Sequence, residues 1–309
     1  MRRKGALTAT AGVLALGLAA CGGGDAENAE TAGSDGTSGS GGTSSAGGRL
    51  AELQDAGTIT VGFAGEAPYS FQDSSGELVG ASVALQERIW NELGIEEVNG
   101  VQAEFGQLIQ ALNAGRFDIV AAGMSILPER CEEAIFSEPE FQYTTALLVE
   151  EGNPHGLTDI QSVADNPDVQ MASMTGAIES DYAASLGIDT TQVGGPQDGL
   201  DLVRNGRADV FALTGISLNW MVDNAGEDPG VEVTESFVAV IDGEEQFGAG
   251  GTVFRPEDTE LRDAYNEKLA EIVGDEDTYL DVVGEWGFTA EERPTGDFTT
   301  EDLCAGDIG

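Results

Sequence analysis

The 309-residue chain carries 56 acidic and 13 basic residues, so its formal net charge at neutral pH is −43. A surface this acidic argues against a nucleic-acid partner, because phosphate contacts need clustered basic side chains. The acids are spread along the chain, which favours a solvated surface suited to a salty exterior over a surface that attracts cations. The single histidine, His155, and three cysteines in no clustered spacing predict no metal site, and we expect no cofactor.

The first twenty residues have the layout of a signal peptide. Arg2, Arg3 and Lys4 form a positive start, and the apolar run over residues 6–20 is too short for a confident membrane span. The run ends in a lipobox, Leu-Ala-Ala-Cys, which predicts cleavage before Cys21 and attachment of a lipid to its thiol. Residues 21–49 are rich in glycine and serine and predict a flexible tether. We therefore expect a protein held at the outer face of the cell membrane by a lipid anchor only.

The remaining two cysteines predict a disulfide bond. With Cys21 assigned to the lipid, Cys131 and Cys304 form a leftover pair in an exported chain, and such pairs are usually oxidised. The bridge would join the C-terminal tail to the first half of the molecule.

Residues 50–150 alternate between strand and helix patterns. Apolar residues recur at helical spacing after a β-branched run, and glycines end the helices. The β-α-β-α-β order predicts a mostly parallel sheet with helices on both faces. The predicted strands are 58–63, 100–105 and 118–122, and the predicted helices are 81–93 and 108–114.

The pattern then restarts, which predicts a second α/β lobe. Residues 114–120 and 205–211 resemble one another: each has a helix end, a glycine, a basic residue, and an aspartate that opens a core strand. We predict one lobe from residues 50–148 and 251–309 and another from 149–250, with a hinge near 147–151 and 247–252. A ligand would lie between the lobes, at strand C-termini and helix N-termini. The elements predicted here are strands 169–174 and 209–213, a strand beginning in 247–254, and helices 177–186, 199–205, 216–224 and 259–273.

Several segments make the chain resemble the family 3 solute-binding proteins, the polar amino-acid receptors of ABC importers. Within that family the chain looks like the ectoine and hydroxyectoine receptors, most specifically in Pro128-Glu129-Arg130-Cys131 together with the terminal Leu303-Cys304-Ala305. The other segments that carry the resemblance are 61–69, 104–106, 117–127, 151–154, 206–210 and 254–255.

The resemblance implies the type II periplasmic-binding-protein fold, an α/β fold of two lobes. Two mixed or parallel sheets, flanked by helices, would be joined by a two-strand hinge. We expect a monomer that captures a small zwitterionic solute and passes it to ABC permease subunits.

The resemblance also implies a carboxylate-binding end of the cleft. Arg130 matches the family arginine that takes the ligand carboxylate, a role that suits a guanidinium fork with two parallel hydrogen bonds. The alternative for Arg130 is a surface salt bridge. Thr175 and Gly176, at a strand end, would add a hydroxyl and backbone N–H donors.

The opposite end would hold a cationic ring. Glu66 matches the glutamate that pairs with this ring in the ectoine receptors, and Tyr69 and Phe105 match aromatic positions that form a box around it. The alternatives are that Glu66 is one more exposed acid and that both aromatic side chains belong to the core.

Thr214 stands where amino-acid receptors of the family carry an aspartate for the ligand's α-ammonium. A hydroxyl satisfies a three-donor ammonium poorly, so the sequence favours a cyclic amidine acid such as ectoine, or a betaine, over a standard amino acid. Glu179 would be a replacement carboxylate, which keeps an amino-acid ligand open.

Ser125 departs from the ectoine pattern, because it stands at the position of the third aromatic of the box. Either Phe141, Tyr143 or Trp220 completes the box, or the cleft takes a different or more hydroxylated ligand.

A receptor without catalytic residues is the first hypothesis. A few exported dehydratases use the same two-lobed fold, so an enzyme is the remote alternative, with Glu66 or Glu179 as its acid or base.

Overall fold

Helices and strands alternate along the first half of the chain, as the sequence predicts. The computed structural model describes residues 48–226, 229–241, 243–246 and 248–306, so the predicted signal peptide, Cys21 and almost all of the tether lie outside the described residues. The first elements are α1 (Arg49–Ala56), β1 (Thr58–Phe63), β2 (Phe71–Gln72), β3 (Leu78–Val79), α2 (Ala81–Glu92), β4 (Glu97–Gln102), α3 (Leu108–Asn113), β5 (Ile119–Ser125), α4 (Pro128–Cys131), β6 (Ile135–Phe136) and β7 (Phe141–Tyr143).

The second half continues the alternation and returns to the first sheet near its end. Its elements are β8 (Thr145–Glu150), α5 (Ile160–Ala164), β9 (Met171–Met174), α6 (Ile178–Ser185), β10 (Thr190–Val193), α7 (Pro196–Arg204), β11 (Val210–Thr214), α8 (Gly215–Asp223), β12 (Val231–Val233), β13 (Ala239–Ile241), β14 (Glu244–Gln246), β15 (Gly248–Phe254), α9 (Thr259–Val273), α10 (Glu276–Val283) and α11 (Thr300–Ala305).

Two mixed sheets organise the described residues. The first has the order β4-β1-β5-β15-β6, with β7 also paired to β15. In it β1 is parallel to β4 and β5, and β15 runs antiparallel to β5, β6 and β7. The second has the order β10-β9-β11-β8-β12, with β8 antiparallel to β11 and β12. We call the parts built on these sheets the first and second lobes.

The repeated phrase in the sequence corresponds to one structural device in each lobe. Asp118 accepts a hydrogen bond from the backbone N–H of Thr60 at 2.9 Å, and Asp209 accepts one from the N–H of Gln170 at 2.7 Å. Each aspartate thus ties the strand that follows it to the neighbouring parallel strand. The glycine before each has a positive φ, which ends the preceding helix.

The first lobe buries its sheet beneath helices α2, α9 and α10. α2 presents Leu85, Ile89 and Trp90 at helical spacing, and all three are fully buried. Tyr265 of α9 and Tyr279 of α10 are buried in the same cluster. Cys131 and Cys304 form the predicted disulfide, which joins α4 to α11 with the two Cα atoms 5.7 Å apart.

Two of the predicted lobe limits fall within strands. The predicted limit at 148/149 cuts β8, which pairs along its length with β11 of the second sheet, and the limit at 250/251 cuts β15, which belongs to the first sheet. The chain therefore passes from the first sheet to the second at Thr144 and returns between β12 and β15, with the separate β13–β14 hairpin between them. The strand predicted at 100–105 begins earlier, at Glu97, and ends at Gln102, so Phe105 lies in a 3-10 turn beyond it. β4 is a mostly exposed edge strand, and its apolar pattern is correspondingly weak.

Candidate functional site

The predicted site residues converge on a cavity between the two sheets. Parallel strands of both lobes end there, so the loops that follow β1 and β4 face those that follow β9 and β11. Six of the nine predicted ligand-binding residues line the cavity, namely Glu66, Tyr69, Phe105, Ser125, Glu179 and Thr214. The other three, Arg130, Thr175 and Gly176, meet beside it.

The lobes are closed on each other around this cavity. The cavity has a volume of about 20 Å³, enough for about one water. Gly176 has a φ of +79°, and a Cβ there would lie 2.9 Å from the Cα of Gly106, so the two loops touch backbone to backbone. A solute larger than water therefore enters only after the lobes separate.

Arg130 connects the lobes at the edge of the cavity. Its Nη1 donates to the carbonyl of Ser125 and its Nη2 donates to the carbonyl of Gly176, each at 2.8 Å. The guanidinium carbon lies 5.6 Å from the centre of the Phe105 ring, within range for a cation–π contact. Burial lowers the pKa of Arg130. No carboxylate of the described residues lies within salt-bridge distance of Arg130, so the structure does not support the surface-salt-bridge alternative.

The loop after β9 offers fewer donors than the sequence predicts. The N–H of Thr175 donates to the carbonyl of Val193 at 2.9 Å, because it continues the pairing of β9 with β10. The carbonyl of Gly176 accepts from Arg130. The Thr175 hydroxyl and the Gly176 N–H are the groups of this loop left for a carboxylate.

Glu66 is a buried carboxylate held across the cleft. Its Oε1 accepts a hydrogen bond from the hydroxyl of Ser217 at 2.6 Å, and Ser217 accepts one from the hydroxyl of Thr214 at 3.1 Å. Burial raises the pKa of Glu66 to about 7, against the opposing effect of the Ser217 hydrogen bond. The alternative of an exposed acid is wrong, since Glu66 is only 4% exposed.

Ser217 is a site residue that sequence reasoning missed. It lies three residues after Thr214, in the first turn of α8, and that spacing brings both hydroxyls to one face. The spacing was the only signal available, because the partner of Ser217 is 151 residues away in sequence.

Three aromatic rings border the cavity. Tyr69 and Phe105 are two of them, as predicted, and Tyr143 at the end of β7 is the third. The rings of Tyr69 and Tyr143 meet edge to face with centres 6.2 Å apart. The hydroxyl of Tyr143 donates a hydrogen bond to the hydroxyl of Ser125 at 2.5 Å. Position 125 has no aromatic side chain, but its serine holds the aromatic ring of Tyr143 in place.

The other two aromatic alternatives lie outside the cavity lining. Phe141 is buried beneath Tyr69 and packs on Phe288. Trp220 of the second lobe meets Phe71 and Trp286 of the first, with ring centres 6.2 Å from both. These contacts close the side of the cleft rather than line its interior. Tyr69 also packs into the core through Phe141, so its core and cavity roles coexist.

Glu179 supplies a second buried carboxylate, from α6 of the second lobe. It is 1% exposed, and its Oε1 has no hydrogen-bond partner among the described residues. Burial raises the pKa of Glu179 to about 8, and the nearby charge of Glu66 adds to this. The cavity therefore combines two acids and three aromatic rings, and one guanidinium lies beside it. This set is suited to a small cation that also carries a carboxylate.

Comparisons with known proteins give matches in sequence and in fold. Residues 59–288 match the bacterial extracellular solute-binding proteins, family 3. A probable amino-acid ABC transporter periplasmic-binding protein of Sinorhizobium fredii is 35% identical over 263 residues, which cover 83% of this chain and 86% of that protein.

Solved structures share the fold. The crystal structure of EhuB in complex with hydroxyectoine aligns with a TM-score of 0.74 and 31% identity, over 83% of this chain and 97% of that one. The ancestral amino acid-binding protein AncCDT-1, a precursor of cyclohexadienyl dehydratase, aligns with a TM-score of 0.67 and 26% identity, over 77% and 98% of the two chains. The predicted type II periplasmic-binding-protein fold, with two mixed sheets flanked by helices, is confirmed.

Proposed function

Because this chain belongs to the family 3 bacterial extracellular solute-binding proteins, we propose that it is the receptor through which an ABC importer takes up ectoine or hydroxyectoine. One observation carries the choice of ligand. The buried carboxylate of Glu66 lines a cavity with aromatic walls and accepts a hydrogen bond from Ser217, which in turn accepts one from Thr214. Position 214 therefore carries a hydroxyl and not an aspartate.

The chemistry of ectoine fits the two ends of this cavity. Its amidinium is a flat, delocalised cation, which pairs with Glu66 and stacks against Tyr69, Phe105 and Tyr143. Its carboxylate would take the place of backbone carbonyls on Arg130, whose bonds to Ser125 and Gly176 use two of five N–H donors. The likeness to EhuB in complex with hydroxyectoine supports the same ligand class.

A polar amino acid is the second candidate. Glu179 is the observation in its favour, since a carboxylate in the second lobe replaces the one that Thr214 lacks. The likeness to a probable amino-acid ABC transporter periplasmic-binding protein supports it as well. The remote alternative, an enzyme, has less support, because the dehydratase-related neighbour is itself an amino acid-binding protein.

The setting of the receptor is part of the proposal. Among the described residues, no helix is both long and apolar enough to cross a bilayer. The lipobox supports an anchor at Cys21, and the Gly/Ser-rich tether would let a monomeric body reach the permease. Opening and closing about the two crossings between the sheets would admit the solute and then enclose it.

Calorimetric titration of the purified full chain tests the ligand. Ectoine, hydroxyectoine, glycine betaine and a panel of polar amino acids including arginine are compared. We expect saturable binding of ectoine that Arg130→Ala abolishes, while Arg116→Ala, at an exposed arginine of the same lobe, leaves the affinity unchanged. Binding of an amino acid with no response to ectoine or hydroxyectoine would refute the proposed ligand.

A further inference from the structure

Arg130 lies on a helix that has little of its own to hold it in place. α4 is a single turn of four residues, and none of the four side chains is buried. Leu127, which precedes it, has no polar atom in its side chain with which to cap the first turn. A lone turn of helix is unstable, because it fixes several backbone torsions for very few hydrogen bonds. The bonds from Arg130 to backbone carbonyls are the ones that the solute's carboxylate would replace. The direction in which Arg130 leaves α4 therefore has to be fixed from outside that helix.

α11, from the C-terminal tail, is the element that meets α4. The disulfide between Cys131 and Cys304 joins the two helices, and Cys131 follows Arg130 directly in the sequence. Gly306, which ends α11, faces the ring of Pro128, since a Cβ at this glycine would lie 3.6 Å from the Cγ of the proline. The two helices are thus linked at the first and at the last residue of α4.

α11 is itself held to the first lobe. Thr299 closes its N-terminal end in a capping box. The hydroxyl of Thr300 donates to the carbonyl of Ser137 at 2.6 Å, and the N–H of Thr300 donates to the carboxylate of Glu138 at 3.1 Å. Leu303 is buried in the core. α11 is therefore a fixed support, and the disulfide attaches α4 to it.

We propose that α11 and the disulfide Cys131–Cys304 form a brace that positions Arg130 for the carboxylate of the solute. The brace rests on the proposed solute-receptor function, in which Arg130 binds that carboxylate. An arginine whose direction is already set loses less conformational entropy when the solute binds. The anchor points of the brace belong to the first lobe, so Arg130 would keep its place when the lobes separate and its bond to the carbonyl of Gly176 breaks.

A double-mutant cycle tests whether the disulfide acts through Arg130. Cys131→Ser with Cys304→Ser is combined with Arg130→Lys, and calorimetry measures ectoine binding by the four full chains of the cycle. Lysine keeps the charge, but its ammonium is a point charge on a flexible stem and gains less from a fixed direction. With Arg130 present, loss of the disulfide should weaken ectoine binding about tenfold, the equivalent of ordering one or two side chains. With Arg130→Lys, the same loss should change the affinity by less than about twofold.

Hydrogen exchange separates a loss of positioning from a folding defect. Backbone amide exchange is followed at residues 127–134 of the variant that lacks the disulfide. Without solute the exchange should be faster than in the wild type, because α4 is no longer held. When ectoine saturates the variant, the exchange should return to near the wild-type rate, because the solute then orders Arg130 and its helix.

A second variant keeps the disulfide and loosens the support. Thr300→Val removes the hydroxyl that donates to Ser137, and it should weaken ectoine binding about threefold. Thr158→Val is the matched control, because Thr158 is an exposed threonine of the second lobe whose hydroxyl bonds only its neighbour Asp159. We expect this control to leave the affinity unchanged. If the chain without the disulfide does not fold, these two variants decide, and equal affinities would overturn the brace.

The outcomes distinguish the brace from the function that it rests on. Ectoine binding that stays within about twofold after loss of the disulfide would overturn the brace and leave the ectoine receptor intact. An equal loss of affinity with Arg130 and with Arg130→Lys would also overturn it, because the disulfide would then act on the fold as a whole. If free arginine binds and ectoine does not, the cycle is measured with arginine. The same difference between the two backgrounds would then support the brace and refute ectoine as the ligand. Binding that Arg130→Lys leaves unchanged would overturn both the brace and the proposed role of Arg130.

Discussion

Glu140 is a buried carboxyl group in the first lobe whose protonation should set the pH dependence of stability. Its Oε1 accepts hydrogen bonds from the hydroxyl of Thr252 at 2.5 Å, the hydroxyl of Tyr265 at 2.7 Å and the N–H of Thr252 at 3.1 Å. Its Oε2 is buried without a partner among the described residues. Burial raises the pKa of Glu140 to about 7, and these hydrogen bonds oppose the rise without cancelling it.

The magnitude follows from linkage between protonation and folding. The carboxyl titrates at 4.5 without the fold and at about 7 within it, so the folded state binds the proton more tightly. The contribution of Glu140 to the free energy of unfolding is therefore greatest below pH 4.5 and is lost as the pH rises to about 7. A difference of about 2.5 pKa units corresponds to about 3 kcal/mol. Full burial of the group means that solvent screens little of this.

Glu140→Gln isolates the effect, because the amide keeps an acceptor for Thr252 and Tyr265 and does not ionise. Equilibrium urea titrations at pH 4 to 8 give the free energy of unfolding of both proteins. The value for the variant minus the value for the wild type should be about 3 kcal/mol larger at pH 8 than at pH 4. The titrations are carried out at high salt, because salt screens the repulsion between the acidic side chains of the surface. Glu132→Gln, an exposed acid on the same segment, should show no such trend. A gap between Glu140→Gln and the wild type that does not change with pH would refute the reasoning.

Two further predictions concern the disulfide and the relay to Glu66. Replacing both Cys131 and Cys304 by serine should lower the free energy of unfolding by up to about 5 kcal/mol, because the bridge closes a loop between residues 173 apart. The urea unfolding curve of the reduced wild type should coincide with that of the variant. If a reductant also changes the unfolding curve of the variant, the stability difference does not come from this disulfide. Ser217→Ala removes the donor to Glu66, so the pKa of Glu66 should rise further. Ectoine binding should weaken about tenfold. When the pH is lowered, the variant should lose binding at a higher pH than the wild type does, because Glu66 takes up its proton earlier. Calorimetry over pH 5–8 measures this, and an unchanged pH profile would contradict it.

Long periodic segments were predictable from sequence because their signals are local. The helix predicted at 259–273 matches α9 residue for residue, and the strand predicted at 58–63 matches β1. Asp118 and Asp209 were recognisable as equivalents because each lobe uses the same helix-glycine-strand passage. Strands of two or three residues, such as β6 and β7, are too short for their periodicity to be detected.

The cross-lobe part of the site was not predictable in the same way. The hydrogen bond from Ser217 to Glu66 and the one from Arg130 to Gly176 each join separate lobes. Nothing in the local sequence of either partner specifies the other. The sheet to which β8 belongs is hidden for a related reason: β8 is apolar along most of its length, and only its pairing with β11 assigns it to the second sheet.

Tyr143 shows how a change at one position of the cleft is tied to another. Ser125 cannot stack on a ring, but its hydroxyl accepts a hydrogen bond from the hydroxyl of Tyr143. Tyr143 ends β7, next to the first crossing between the sheets. β7 pairs with β15, the strand that makes the return crossing, so the ring of Tyr143 is fixed to both crossings at once. Lobe opening about these crossings would leave this ring nearly in place, while Glu66 and Glu179 move apart. The ring of Tyr143 would then stay in place for the solute while the lobes are open.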